Sequence, residues 1–148
     1  MPFLRSKHKT NTMKYAKPLV VFTTALLFAV AACTPETDNT PGTDDRDALV
    51  GNWTTTENSK YFGSTTYTIT ISKSNSDDVT VIIKNFYNLG AGASTLATVS
   101  GKSITIASQQ VSAQTIKGTG TLGTSSINWS YTTDDGVQRD TCTASSVK

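Results

Sequence analysis

The sequence predicts an all-β domain over residues 49–148, built as an eight-stranded antiparallel up-and-down meander barrel. Apolar and polar residues alternate along short segments, which places the apolar side chains on one face of each strand. Turn-forming residues separate these segments at short intervals, so consecutive strands should pair. Eight strands is the number that closes into a small barrel. A β-sandwich fits the same pattern and is the alternative.

The alternation is clearest in residues 67–71, where Tyr and Ile alternate with Thr, and in residues 127–131, where Ile, Trp and Tyr alternate with Asn and Ser. Such a two-residue period is typical of half-buried antiparallel strands. The predicted strands lie near 49–56, 64–73, 78–84, 95–100, 103–108, 114–122, 126–133 and 138–146.

Gly, Asn, Asp and Ser cluster between the strands, as turns require. The hairpin around residues 123–126 is predicted to place Gly120 opposite Trp129 and Gly118 opposite Tyr131, so that bulky rings cover bare backbone. The 101–102 turn similarly places Val99 opposite Ile104. The last hairpin has two possible registers. A two-residue turn pairs Trp129 with Cys142 and Tyr131 with Asp140, whereas a three-residue loop with a bulge pairs Tyr131 with Arg139.

Residues 1–32 are predicted to be a lipoprotein signal peptide, whose true start is Met13. The apolar run 19–32 is too short to span a bilayer and follows two lysines. The sequence Val-Ala-Ala-Cys, ending at Cys33, resembles the bacterial lipobox. That resemblance implies cleavage before Cys33 and acylation of its sulfur and of the new amino terminus, which anchors the chain in a membrane.

Residues 33–48 are rich in acids and lack large apolar side chains, so they are expected to form a disordered tether. Thr34 follows the cysteine where an aspartate would signal retention in the inner membrane. The expected location is therefore the outer membrane, on its periplasmic face or at the cell surface. The acids close behind Cys33 resemble an export tag for surface lipoproteins.

Cleavage would change the charge of the chain. It removes five basic residues and no acids, which leaves eight basic and eleven acidic residues and a net charge of −3. The remaining chain has no dense basic surface, so nucleic acid is not expected as a partner. The only histidine, His8, precedes the cleavage site, so we expect no catalytic triad, no histidine-ligated metal and no cofactor. Cys142 has no disulfide partner if Cys33 is acylated.

The segment Gly51-Asn-Trp53 resembles the Gly-x-Trp opening of lipocalin-like (calycin-like) and avidin-like barrels. In lipocalins an arginine of the last strands packs over that tryptophan, which implies this role for Arg139. The segments 82–90, 97–109, 127–136 and 140–144 resemble small Bacteroidetes lipoproteins. This resemblance spans nearly the whole domain and brings no activity with it.

Three functions are considered. We expect a lipid-anchored, non-enzymatic structural or partner-binding module with a protein or glycan partner. The first alternative is a carrier of a small apolar ligand in the barrel interior. The second is a hydrolase that uses carboxylates alone, which requires acids such as Glu57 and Asp140 to face one cleft. The candidate core- or ligand-lining residues are Trp53, Tyr67, Trp129, Tyr131 and Arg139. The loop pairs 61–62 and 86–87 form a candidate aromatic platform.

Overall fold

The computed structural model describes residues 43–148, and the predicted signal peptide, Cys33 and the first part of the tether lie outside the described residues. This part of the chain forms eight strands and one short 3-10 turn, Phe86–Asn88. It contains no helix long and apolar enough to cross a membrane. The strands are β1 (Gly51–Ser59), β2 (Gly63–Lys73), β3 (Thr80–Lys84), β4 (Ser94–Ser100), β5 (Ser103–Val111), β6 (Gln114–Leu122), β7 (Ser126–Asp134) and β8 (Arg139–Val147).

The strands form a closed barrel in sequence order, and every neighbouring pair is antiparallel. β1 pairs with β8 over residues 54–59, which closes the sheet. The predicted up-and-down barrel is therefore confirmed, and the sandwich alternative is wrong. Closure leaves no edge strand to pair with another chain.

The meander places alternate loops at opposite ends of the barrel. The base end holds the chain before β1, the loops β2–β3, β4–β5 and β6–β7, and the C-terminal Lys148. The top end holds the loops β1–β2, β3–β4, β5–β6 and β7–β8.

The predicted register between β6 and β7 is confirmed: Gly120 pairs with Trp129 and Gly118 with Tyr131. An added Cβ at Gly120 would lie 2.6 Å from two ring carbons of Trp129. The aromatic rings thus occupy the space that a side chain on β6 would otherwise fill. The predicted pairing of Val99 with Ile104 is also confirmed.

Both predicted registers for the last hairpin are wrong. The structure pairs Tyr131 with Cys142 and Asp134 with Arg139, which leaves a four-residue loop, 135–138. The Asp135 carboxylate explains the longer loop, because its Oδ1 accepts hydrogen bonds from the backbone N–H groups of Val137 and Gln138 at 2.8 and 2.7 Å.

The predicted tether is too long at its C-terminal end, because residues 45–49 form a turn packed on the base. Arg46 is buried and donates to the backbone carbonyls of Asp77, at 2.6 Å, and of Ser74 and Thr80, both at 3.3 Å. It also forms an ion pair with Asp44 at 2.8 Å. Sequence composition could not show that these carbonyls, some 30 residues away, would order the segment.

Asp44 joins this turn to β2. Lys73 contacts its carboxylate at 2.8 Å, and the hydrogen bonds from Arg46 and then from Lys73 hold the pKa of Asp44 far below its usual value. The carboxylate is therefore ionised at neutral pH. Leu49 ends the turn and is fully buried against the barrel core.

Phe86 closes the interior from the top end. It is 1% exposed and is carried by the β3–β4 loop. Its ring centroid lies 5.3 Å from that of Trp129 and 4.6 Å from that of Tyr131. These edge-on and tilted contacts are geometries that aromatic pairs favour. The interior between β6, β7 and the β3–β4 loop is thus packed with rings.

Two buried threonines offer a matched test of the core. The hydroxyl of Thr95 has no hydrogen-bond partner among the described residues, whereas that of Thr55 lies 2.7 Å from Ser146 Oγ. We expect Thr95→Val to raise the free energy of unfolding by about 1 kcal/mol and Thr55→Val to lower it by about the same amount. Urea unfolding of both variants measures these changes. Equal effects of the same sign would contradict the assignment.

Candidate functional site

The barrel interior has a polar side. Inward-facing positions on β2 to β6 are mostly aliphatic, whereas β1, β7 and β8 place polar side chains inside. β1 and β8 are adjacent, so most of these side chains form one continuous region, which we call the polar seam. Its members are Thr55, Glu57, Ser59, Asp140, Cys142 and Ser146.

In the base half of the polar seam, Ser146 accepts a hydrogen bond from the Trp129 indole. The Nε1–H of Trp129 donates to Ser146 Oγ at 2.9 Å. The other tryptophan, Trp53, donates to the carbonyl of Leu49 at 2.8 Å. Both indole rings are therefore held in place by hydrogen bonds as well as by packing. This arrangement is typical of structural core residues.

Glu57 lies in the upper half of the seam between two tyrosines. The hydroxyls of Tyr67 and Tyr131 both donate to Glu57 Oε2. Burial, reinforced by the nearby Glu57 carboxyl, raises the pKa of both tyrosines far above its usual value. The tyrosines therefore remain protonated and act as donors. The cluster joins β1, β2 and β7 across the barrel.

Asp140 is the second buried carboxylate and is surrounded by donors. Its Oδ1 accepts from the backbone N–H groups of Lys60, at 3.1 Å, and Thr141, at 2.8 Å. Its Oδ2 accepts from the side chains of Ser59, Tyr87 and Cys142. Burial alone raises the pKa of Asp140, but these hydrogen bonds outweigh burial and hold the pKa below its usual value.

Ser59, which donates to Asp140, also accepts hydrogen bonds from the β1–β2 loop. Its Oγ accepts from the backbone N–H groups of Tyr61, at 3.1 Å, and Phe62, at 2.8 Å. Asp140 therefore fixes the loop that carries the two exposed aromatic residues of the top end. Their exposed fractions are 51% for Tyr61 and 73% for Phe62.

Cys142 has a free, fully buried thiol between the two carboxylates. Burial, followed by the charges of Glu57 and Asp140, raises the pKa of the thiol well above its usual value. We expect the folded protein to resist a thiol reagent such as dithionitrobenzoate at pH 8, and to react only after unfolding in urea. Fast reaction of the folded protein would contradict this placement.

The structure brings four of the five predicted lining residues into the core. Trp53, Tyr67, Trp129 and Tyr131 are all buried. The prediction for Arg139 is wrong: its side chain is 65% exposed and pairs with Asp134 at 3.1 Å on the outside. Lys148 covers Trp53 instead, with its Nζ 4.8 Å from the ring centroid.

The aromatic loop pairs have different positions. Phe86 lies in the core, Tyr87 is partly buried, and Tyr61 and Phe62 face solvent. The predicted four-residue platform is therefore wrong for Phe86. Tyr61 and Phe62 are exposed, and Tyr87 is partly accessible.

Glu57 and Asp140 lie on separate strands at the same end of the barrel, as a carboxylate-only hydrolase requires. Both are buried, and their oxygens accept hydrogen bonds from the protein's own side chains and backbone.

The turn aspartates cap their loops. Asp77 Oδ1, for example, accepts hydrogen bonds from the N–H groups of Val79 and Thr80. Residues 43–148 contain no group of three or more His, Cys, Asp or Glu side chains placed to hold a metal ion.

Recesses occur on the outside of the barrel and at its top. Two grooves, of about 300 and 390 Å³, lie on the outer face of β5 to β8 and share Ser108, Lys117 and Thr132. A smaller recess of about 50 Å³ lies at the top end. We call it the top recess, and it is lined by Phe62, Tyr87, Gln114, Thr133, Asp135, Gln138 and Asp140.

Two solved structures are similar to this chain. One is a redesigned β-barrel, b11L5F_LGL, with a TM-score of 0.53 and 14% identity, covering 71% of this chain and 95% of that chain. The other is EF1p2_mFAP2b bound to DFHBI, with a TM-score of 0.51 and 13% identity, covering 72% and 99%. The similarity shows the barrel fold. No family model matches the chain. No curated protein matches it either.

Proposed function

We propose that this protein is a lipid-anchored module of the bacterial cell envelope, and that its barrel is non-enzymatic and binds a partner through its outer surface. The packing of the interior carries this proposal. Phe86, Trp129 and Tyr131 fill the middle and the upper part of the interior, and the space beside Gly118 and Gly120 is already occupied. A partner is therefore best accommodated on the outside or at the top end.

The position of the N-terminal turn supports a particular orientation. Residue 43 follows Cys33 by ten residues, which can span at most about 35 Å. Arg46 and Leu49 attach the chain to the base end. A lipid on Cys33 would thus hold the base end within about 35 Å of the bilayer and leave the top end unattached.

The anchor is tested by expressing the full chain in a Gram-negative host in the presence of an alkyne analogue of palmitate. We expect the label on the wild-type protein and a membrane-bound fraction, with both lost in Cys33→Ser. Mass spectrometry of the amino-terminal peptide should find an acylated Cys33. A wild-type chain that matures with an unmodified sulfur would overturn the proposal. Protease accessibility of intact cells then distinguishes the cell surface from the periplasmic face.

A small-ligand carrier is the second candidate, and it is favoured by the similarity to a barrel that binds DFHBI. Here a ligand could enter only if Phe86 moved out of the interior. Phe86 lies in a loop where Asn85, Tyr87 and Asn88 all have positive φ angles, a conformation that non-glycine residues seldom adopt. Such a loop is a reasonable place for an opening motion.

The carrier is tested with DFHBI as the probe. Saturable fluorescence enhancement with the wild-type protein at micromolar concentrations would support an accessible interior. We expect instead that the wild-type protein gives no enhancement and that Phe86→Ala, which removes a ring from the centre, gives a measurable one. Enhancement with neither protein would exclude this ligand class and leave the surface module.

A further inference from the structure

We infer that the top recess is a carbohydrate-binding site that takes one neutral sugar residue of a glycan. This inference rests on the proposed function, because it names the class of partner that the exposed end of the anchored barrel would bind. Its evidence is the combination of exposed rings, free amides and a small polar recess within one end of the barrel.

The first observation concerns two glutamines. Gln114 and Gln138 line the recess, and their side-chain amides make no hydrogen bond to any residue in 43–148. The nearby Gln109, by contrast, uses its amide on the backbone of Leu96 at 2.9 and 2.7 Å. A free amide offers two donors and an acceptor. The recess therefore has unused hydrogen-bonding groups of both kinds.

The second observation is the presentation of Phe62. This ring is 73% exposed, although its loop is held by the hydrogen bond from Phe62 N–H to Ser59 Oγ. Tyr61 beside it is also exposed, and neighbouring exposed rings on a fixed backbone suit a binding surface better than a single one. Because the loop is already ordered, little conformational entropy is lost when a ligand binds to it.

These groups match the two surfaces of a pyranose ring. One face of the ring carries C–H groups and stacks on an aromatic side chain, while the edge carries hydroxyls that both donate and accept. Phe62 would take the C–H face, and Gln114 and Gln138 would bind the hydroxyls. Asp135 at the rim adds an acceptor, since the hydrogen bonds from the Gln138 and Val137 N–H groups lower its pKa and keep it ionised.

The size and charge of the recess narrow the ligand further. A volume of about 50 Å³ is far below the roughly 300–1,000 Å³ of pockets that enclose a whole small-molecule ligand. It therefore admits a hydroxyl or hydroxymethyl group, while the ring itself lies outside on Phe62. The carboxylates of Asp135 and Asp140 disfavour an anionic sugar.

The full chain, purified in detergent, is tested on an array of immobilised neutral mono- and disaccharides, with sulfated glycans and immobilised alkylamines as charged comparisons. We expect retention on a subset of neutral sugars. Phe62→Ala and Gln138→Ala should each weaken it by about tenfold. Val79→Ala shortens another exposed apolar side chain, at the base end, and should leave binding unchanged.

The inference is overturned if neutral sugars are not retained, if Phe62→Ala and Gln138→Ala bind as the wild type does, or if only the sulfated glycans or the alkylamines are bound. Thermal unfolding of each variant establishes that it is folded. Cys33→Ser separates the two proposals, because it should lose the lipid and keep sugar binding. A wild-type protein that is lipidated but does not bind sugar would overturn only the sugar site. A wild-type protein that binds sugar but is not lipidated would overturn only the lipid anchor.

Discussion

Gly118→Ala should lower the free energy of unfolding by about 3 kcal/mol, which is at the upper end for overpacking by one methyl group. An added Cβ would lie 2.3 Å from Tyr131 Cβ and 2.6 Å from the carbonyl oxygen of Ser130. Neither atom can be moved by a side-chain rotation, so β6 and β7 would have to separate. Urea unfolding followed by circular dichroism measures the loss.

Gly92→Ala is the matched control, because no atom lies within 4 Å of its added Cβ and its φ angle is not positive. We expect its stability to change by less than about 0.5 kcal/mol. Gly120→Ala should fall between the two, since the added Cβ meets ring carbons of Trp129 rather than backbone. If Gly118→Ala were as stable as Gly92→Ala, the close contact between β6 and β7 would be contradicted.

The β6–β7 hairpin was predictable because its two strands carry complementary signals. The glycines at 118 and 120 lie on one face of β6, and the large aromatics at 129 and 131 lie on one face of β7. Only one register places both glycines opposite both aromatics. The barrel closure followed from strand number and short connections. Both arguments use local sequence and need no knowledge of distant contacts.

The last hairpin shows how far such arguments go. The observed pairing of Tyr131 with Cys142 keeps the same residues inside as the predicted two-residue turn did, but it is displaced along the strand by one pair of positions. Alternation determines which face a residue occupies. It does not determine the loop length, which here depends on hydrogen bonds from the Asp135 side chain.

The alternation of apolar and polar residues did not predict the polar seam, because most of its members are polar although they face inwards. Glu57 continues the inward phase of Trp53 and Thr55, but the predicted strand ended at residue 56. Asp140 has the inward phase of Cys142 in the same way. Extending the alternation through Glu57 would have placed this carboxylate inside, and the predicted two-residue turn already paired Asp140 with the inward-facing Tyr131. Their partners, Tyr67 and Ser59 among them, come from other strands, and pairing across the barrel is not readable from local sequence.

Asp140→Ala should lower the free energy of unfolding by about 3 kcal/mol at pH 7, because it leaves several buried donors without an acceptor. Asp140→Asn should cost about half as much. Its carbonyl oxygen can still accept from the backbone N–H groups of Lys60 and Thr141. Its amide would face Ser59 and Tyr87. The Tyr87 hydroxyl can rotate to accept, whereas Ser59 Oγ already accepts from the N–H groups of Tyr61 and Phe62, so part of the cost remains.

The two variants also separate the charge of Asp140 from its hydrogen bonds. The folded-state pKa of Asp140 lies below the unfolded value of about 3.9. A lowered pKa stabilises the fold at pH values above the unfolded pKa, and this contribution is lost as the pH falls through the folded pKa. The stability of the wild-type protein should therefore decline below about pH 4, and that of Asp140→Asn should decline less.

Urea unfolding at pH 7, 5, 4 and 3 tests this difference. Asp44, Asp77 and Asp135 also have lowered pKa values, but they are present in both proteins and cancel in the comparison. The difference between wild type and Asp140→Asn should be largest at pH 7 and shrink towards pH 3. A constant difference would mean that Asp140 contributes through its hydrogen bonds and packing and not through its charge.

Asp140 and Ser59 together hold the β1–β2 loop. The same acid titration should therefore also loosen Phe62 and weaken the binding of any ligand at the top recess.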